Sequence, residues 1–290
     1  MTKKIIAILM AMALVLSFAA CGAKNDETTE PAQTVADTTA APEETSAPVE
    51  ETSIEETSAE AVSEEATSAE ETTQAAAKVP ETTEEIIEFY NKAANAAKAD
   101  SKSITYNYMK HAPAGNVSGL PKMFNSLADT VISNNTGADK SKTNLALNTQ
   151  SLKNTNFPVE NESWASKLTA DDVKSATCTE SNGVYTIKIV TKSDDFLANV
   201  KHGSYHNPKA FNVVLPSTVA DNIPSAVAKV FSIGTVAIAF PSSTITVKVD
   251  AATGNIKTAN YLMYWTMKIP LGNSDVIIPF STESDYTVNF

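Results

Sequence analysis

The residues able to do chemistry in this chain are few, and their spacing decides little by itself. His202 and His206 stand four apart in His202-Gly203-Ser204-Tyr205-His206, with Asp194 and Asp195 just upstream. On a helix, two imidazoles so spaced share one side and can hold a metal ion. Gly203 and Pro208 instead predict a loop with solvated histidines, and no HExxH-like base accompanies them. His111 stands alone beside Pro113. Cys178 alternates with Ala176 on an expected strand, where a free cysteine acts as a small hydrophobe. The pairs Asp171-Asp172 and Asp194-Asp195 are adjacent, so their carboxylates diverge. They read as helix N-terminal or surface charge rather than as an acid/base pair. Asp250, Thr253 and Gly254 form a turn without the alternating acids of a calcium loop. No nucleophile elbow and no phosphate-cradling glycine loop occurs. The sequence therefore predicts no catalytic residue, no metal site, no cofactor and no enzymatic activity.

One further cysteine has a different context, "LMAMALVLSFAACGAKNDETTEPAQ". Lys3 and Lys4 form a basic start, Ile5 to Leu16 a short apolar run, and Ser17-Phe18-Ala19-Ala20 a small-residue region. This is signal-peptide organisation, since the apolar run is too short to span a bilayer. Ser17-Phe18-Ala19-Ala20-Cys21-Gly22 resembles the lipobox of bacterial lipoproteins. Phe18 stands where that family most often has leucine. The resemblance covers residues 1–22 and implies signal residues 1–20, cleavage after Ala20 and a diacylglyceryl thioether on Cys21. It implies a protein anchored by fatty chains such as palmitate on the extracytoplasmic face of the cell membrane, with a Gram-positive surface as the expected setting. Two acyl chains hold far longer than one, at about 0.8 kcal/mol per buried CH₂.

Charge separates the next segment from the rest. The chain of 290 residues carries a formal net charge of −12 and no arginine. Residues 23–78 hold 15 acids against 2 lysines and no aromatic residue, whereas residues 79–290 hold 19 acids against 18 lysines. A nucleic-acid partner is excluded by the lack of a basic footprint. The stretch 21–79, built of Thr, Ser, Glu, Ala and Pro, cannot bury enough apolar surface to order itself. It is expected to be a disordered acidic stalk with a reach of roughly 40–45 Å.

Residues 80–290 are expected to form one α+β domain. Thr82 and Glu85 have capping-box spacing ahead of a helix with Ile86, Tyr90, Ala93 and Ala97 on one face. "SITYNYMK" predicts a strand with Ile104, Tyr106 and Tyr108 on one side. A second helix is expected over about 118–133, and a long polar loop over 134–163. Asp171 and Asp172 fall in a short helix opened by Thr169. Two strands flank the turn at Ser181-Asn182-Gly183. A helical segment near 217–232 breaks at Pro224. Strands are expected at about 235–240, 243–250, 255–269, 274–280 and 284–290. This order predicts a curved antiparallel meander packed on N-terminal and mid-chain helices. Sheets that bend so often enclose a cavity, as in half-barrel periplasmic lipid carriers.

The longest strand holds the best candidate surface. In "KTANYLMYWTMKI" one face carries Tyr261, Met263, Trp265 and Met267. That row either packs as core against the helices or lines an adaptable pocket, methionine being easily repacked around varied ligands. Two functions follow. One is a surface-displayed, non-catalytic domain that binds an apolar or amphipathic small ligand. The other is a structural or interaction module that contacts wall polymer or another protein.

Overall fold

The computed structural model describes residues 79–120, 133, 136–221, 223, 225–230 and 232–290. The signal region, Cys21, the acidic stretch and nearly all of the helix expected over 118–133 lie outside them. Helix α1, Thr83–Asp100, starts as its sequence prescribes. The Glu85 amide donates to Thr82 Oγ1 at 3.2 Å, and the Thr82 amide donates to Glu85 Oε2 at 3.1 Å. These bonds satisfy N–H groups that have no partner inside the helix. The apolar stripe Ile86, Tyr90, Ala93 and Ala97 is buried, and Lys98 is buried with it.

Among the described residues, ten strands form one antiparallel sheet: β1 (Ser103–Pro113), β2 (Gly137–Ala138), β3 (Leu145–Leu147), β4 (Val173–Ser181), β5 (Val184–Thr191), β6 (Asp194–Leu197), β7 (Ala237–Phe240), β8 (Thr244–Asp250), β9 (Ile256–Leu271) and β10 (Ser274–Asn289). The main path runs β2-β1-β10-β9-β8-β5-β4. β3 also pairs with β1, while β7 pairs with β9 and β6 with β7. Short helices α2 (Gln150–Asn156), α3 (Pro216–Asp221) and α4 (Ser225–Val230) complete the β-rich α+β fold. Among the described residues, no helix is long and apolar enough to cross a membrane.

Several sequence expectations are corrected. The sheet is not a simple meander. β8, β9 and β10 follow one another, but β5 lies beside β8, and β1 closes on β10 from the far end of the domain. The strands expected at 274–280 and 284–290 are one strand. Ser281 to Glu283 look like a polar break, yet each has a partner on β9, from Tyr264 to Leu262. The stretch 134–163 is not one long loop: it contains β2, a 3₁₀ turn, β3 and α2. Phe157 and Val159 after α2 are fully buried, which neighbouring polar residues disguise. Tyr108 does not share the side of Tyr106. The register shifts between them, so Tyr106 stays opposite Tyr286 while Tyr108 lies opposite Asp285. One extra residue in a bulged strand reverses all alternation beyond it. The hydroxyl of Tyr108 then donates to Glu283 at 2.9 Å.

The turns obey local chemistry. Asn182 and Gly183 take φ of 52° and 73° between β4 and β5, as a tight hairpin requires. Gly119, with φ 81°, has a tertiary reason to lack a side chain. A Cβ there would sit 1.8 Å from the Asp275 carbonyl oxygen.

Candidate functional site

Alternation along β9 buries Ala259, Tyr261, Met263, Trp265, Met267 and Ile269, and along β10 it buries Val276, Ile278, Phe280, Thr282, Ser284 and Tyr286. The two strands are in register from Ser274 opposite Leu271 to Thr287 opposite Thr258. This inner face has two ends of different character.

The first end is aromatic. Tyr261 has its ring edge-on to Phe157, Phe211 and Tyr286, with centroids 6.4, 5.9 and 6.0 Å away. Its hydroxyl lies 3.2 Å from that of Tyr90 on α1. Burial pushes both phenols up from their ordinary pKa, so both stay neutral. Tyr286 donates to the Asn156 carbonyl at 2.9 Å, and the Tyr106 hydroxyl lies 2.8 Å from Ser284 Oγ. The polar atoms of this end are thus matched among themselves.

The second end begins at Met263 and runs through Trp265 and Met267. Trp265 stacks on Phe280 at 5.0 Å. Its indole N–H donates to Thr282 Oγ1 at 3.1 Å. His111 Nδ1 lies 3.0 Å from the same oxygen, because β1 sets His111 directly opposite Thr282. His111 Nε2 is buried and has no hydrogen-bond partner among the described residues. Burial lowers the pKa of this histidine, against the pull of Asp139. Tyr261, Met263, Trp265 and Met267 therefore form one continuous row, as expected. Beside them lie Thr282 and Phe280, which the sequence does not single out, and His111, which it shows only as a lone histidine beside Pro113. Thr282 sits where a strand break is read, Phe280 ends the strand expected at 274–280, and His111 carries no local mark of a partner 171 residues away.

The other candidates scatter. His202 and His206 do not converge, and neither is a simple solvated histidine. His202 is largely buried, with Nδ1 unpartnered among the described residues, and burial lowers its pKa. His206 Nδ1 lies 2.9 Å from Asp172 Oδ1. Asp171 and Asp172 fall in the first turn of the 3₁₀ helix Ala170–Asp172 opened by Thr169, as expected, but the surface alternative holds for only one member of each acidic pair. Asp172 and Asp194 are buried, while Asp171 and Asp195 are exposed. Asp194 accepts from the His206 and Asn207 amides, both at 2.9 Å, and from Asn207 Nδ2 at 3.0 Å. Asp172 accepts from Lys209 Nζ at 2.8 Å on both oxygens, and from the Thr169 amide and hydroxyl. Together they clamp the 3₁₀ turn Asn207–Lys209 to the strand starts. Cys178 is half-buried opposite Ile187, and burial pushes its thiol up from its ordinary pKa. Asp250 Oδ1 accepts from the Ala252 and Thr253 amides, which makes it a turn residue. Among the described residues, no three His, Cys, Asp or Glu side chains gather as metal ligands would.

The Asp172 clamp gives a signed pH dependence. Burial pushes its carboxyl up, but the hydrogen bonds from Lys209, His206 and Thr169 outweigh burial and hold it below its ordinary value. In the unfolded chain an aspartate takes up its proton near about 4. The stabilisation is thus present above that pH and is lost as pH falls through the lower folded value. Asp172→Asn is expected to cost about 2 kcal/mol at neutral pH. In urea unfolding the gap between wild type and variant should narrow below about pH 4; a gap independent of pH would refute this role.

No protein-family model, no curated protein and no solved structure matches the chain.

Proposed function

We propose that this chain is an extracytoplasmic lipoprotein, tethered through acyl chains on Cys21, whose domain 80–290 holds an apolar or amphipathic small ligand without transforming it. Residues 21–79 serve as its disordered stalk. The observation that carries the binding reading is the row Met263, Trp265 and Met267, which continues from the packed Tyr261 cluster along a buried sheet face. Curvature of the sheet around this row, with helices against it, belongs to the same reading. Methionine adapts to chains of varied shape, and a sheet-bound indole gives them a rigid floor.

Two experiments test the two halves. Cys21→Ser is expected to move the chain from the membrane fraction into the medium. Equal retention on the cell overturns the anchor. Solvent extraction of the full-length protein, followed by mass spectrometry, is expected to release an amphiphile in near-equal molar amount. An extract no richer than that of a control lipoprotein purified alongside overturns the binding reading.

A second reading, contact with wall polymer or another protein, draws on the opposite sheet face. There Asn260 donates to Glu283 and Asp285 at 2.9 and 3.3 Å, and Asn107 donates to Asp285 at 2.7 Å. Such a surface of amides and carboxylates can offer hydrogen bonds to hydroxyl-rich polymer. Retention of the chain on isolated wall fragments, with no extractable amphiphile, would select it.

A further inference from the structure

One buried polar atom on the inner face lacks what its neighbours have. Ser284 and Tyr106 bond each other, Tyr286 bonds a carbonyl, and Tyr90 bonds Tyr261. His111 Nε2 bonds nothing among the described residues. A buried polar group left so costs about 1–3 kcal/mol, which makes it a signal rather than a detail.

The hydrogen-bond chain leading to that atom fixes what it is. An indole nitrogen only donates, so Thr282 Oγ1 must accept from Trp265. The threonine hydroxyl still has its own hydrogen to place. The acceptor beside it is His111 Nδ1, 3.0 Å away. If Nδ1 accepts, the neutral ring carries its hydrogen on Nε2. Burial keeps the ring in that neutral form, since it lowers the pKa of His111. Trp265, Thr282 and His111 thus form a relay, running from β9 through β10 to β1, that ends in an unmatched donor. The missing counterpart is an acceptor. Apolar residues flank the site on one side, where Phe280 stacks on Trp265 and Met263 lies directly opposite Thr282, while Asp139, whose Oδ2 is also buried and unpartnered among the described residues, adds negative charge that disfavours a second anion there.

We propose that His111 Nε2–H receives the acyl oxygen of an amphiphilic ligand, an ester or carboxylic-acid carbonyl, whose hydrocarbon chain lies along Met263, Trp265 and Met267. This rests on the ligand-binding reading above and names the ligand's chemistry. A neutral donor suits a carbonyl. A free carboxylate would lose its hydration against a single hydrogen bond, which is costly in apolar surroundings.

The test uses the full-length chain, stripped of lipid and labelled with ¹⁵N-histidine, and three probes: methyl palmitate, palmitic acid and hexadecane. Methyl palmitate and protonated palmitic acid are expected to shift the Nε2 resonance of His111, and hexadecane to leave it in place. His111→Phe should weaken both oxygen-bearing probes at least tenfold and leave hexadecane unchanged. His111→Gln, which restores an N–H donor, should recover part of the loss. Thr282→Val should weaken the oxygen-bearing probes while the fold, read by urea midpoint, persists. Tight binding of all three probes with no His111 shift and no loss in His111→Phe would overturn this assignment alone, leaving a buried water as the partner of Nε2. Failure of every probe to bind would overturn the ligand-binding reading as well.

Discussion

Replacing Lys98 by methionine is expected to cost the fold about 3–5 kcal/mol, since three buried carbonyls lose a donor at about 1–3 kcal/mol each. Lys98 is fully buried near the end of α1. Its ammonium donates to the carbonyls of Phe157, Val159 and Trp164 at 3.1, 2.7 and 3.1 Å. Three donors thus meet three acceptors, the full capacity of the group. Burial draws its pKa down to about 7, with Glu162 and Glu160 pulling the other way. Methionine keeps the length and the apolar stem but leaves three carbonyls without that donor, which is where the cost arises. The same helix face holds the next turn of chain by other means. Asn95 accepts from the Ala165 and Ser166 amides at 2.7 and 3.0 Å, and Asn91 donates to the Leu168 carbonyl at 2.7 Å. Loss of Lys98 should therefore loosen 157–164 first. The check is a urea midpoint combined with amide exchange. An unchanged midpoint, or exchange rising evenly through the domain, would contradict the assignment.

The second large effect is at Tyr261. Tyr261→Ala is expected to cost about 3–5 kcal/mol, the usual range for deleting a buried aromatic ring. Phe157, Phe211 and Tyr286 all pack edge-on around that ring, and none can fill the space without leaving its own contacts. Tyr261→Phe keeps the ring and loses only the bond to Tyr90, so about 1 kcal/mol should be lost. A calorimetric scan of both variants separates packing from hydrogen bonding. Nearly equal losses would mean that the hydroxyl pair, not the ring cluster, holds this end of the sheet. The pair of variants also divides the row on β9: Tyr261 acts through stability, whereas Trp265 and its methionine neighbours are tested by ligand.

The sequence was readable wherever one residue's neighbours state its role. Thr82 and Glu85 announce the start of α1, and Asn182-Gly183 announces the β4–β5 turn. Alternation in "KTANYLMYWTMKI" announces the buried row. It was misread where a distant partner alters the local rule. Tyr108 turns outward because Asn107 is extra in the pairing with β10. Lys98 carries no local mark of its burial, which comes from the carbonyls of the 157–164 segment. Asp172 reads correctly as a helix N-terminal charge, but its further partners Lys209 and His206 arrive from 34 to 37 residues away.

By itself the sequence determined the α+β class, the cap that starts α1, the tight turns and the side of β9 that turns inward. These follow from periods of two and 3.6 residues and from backbone angles that few side chains tolerate. Only the tertiary structure decided that β1 lies beside β10, that Lys98 ends among three carbonyls and that His111 meets Thr282. Such meetings depend on which distant segments share a register, and the free energy that selects it comes from burying the whole face at once. No short window of residues carries that sum.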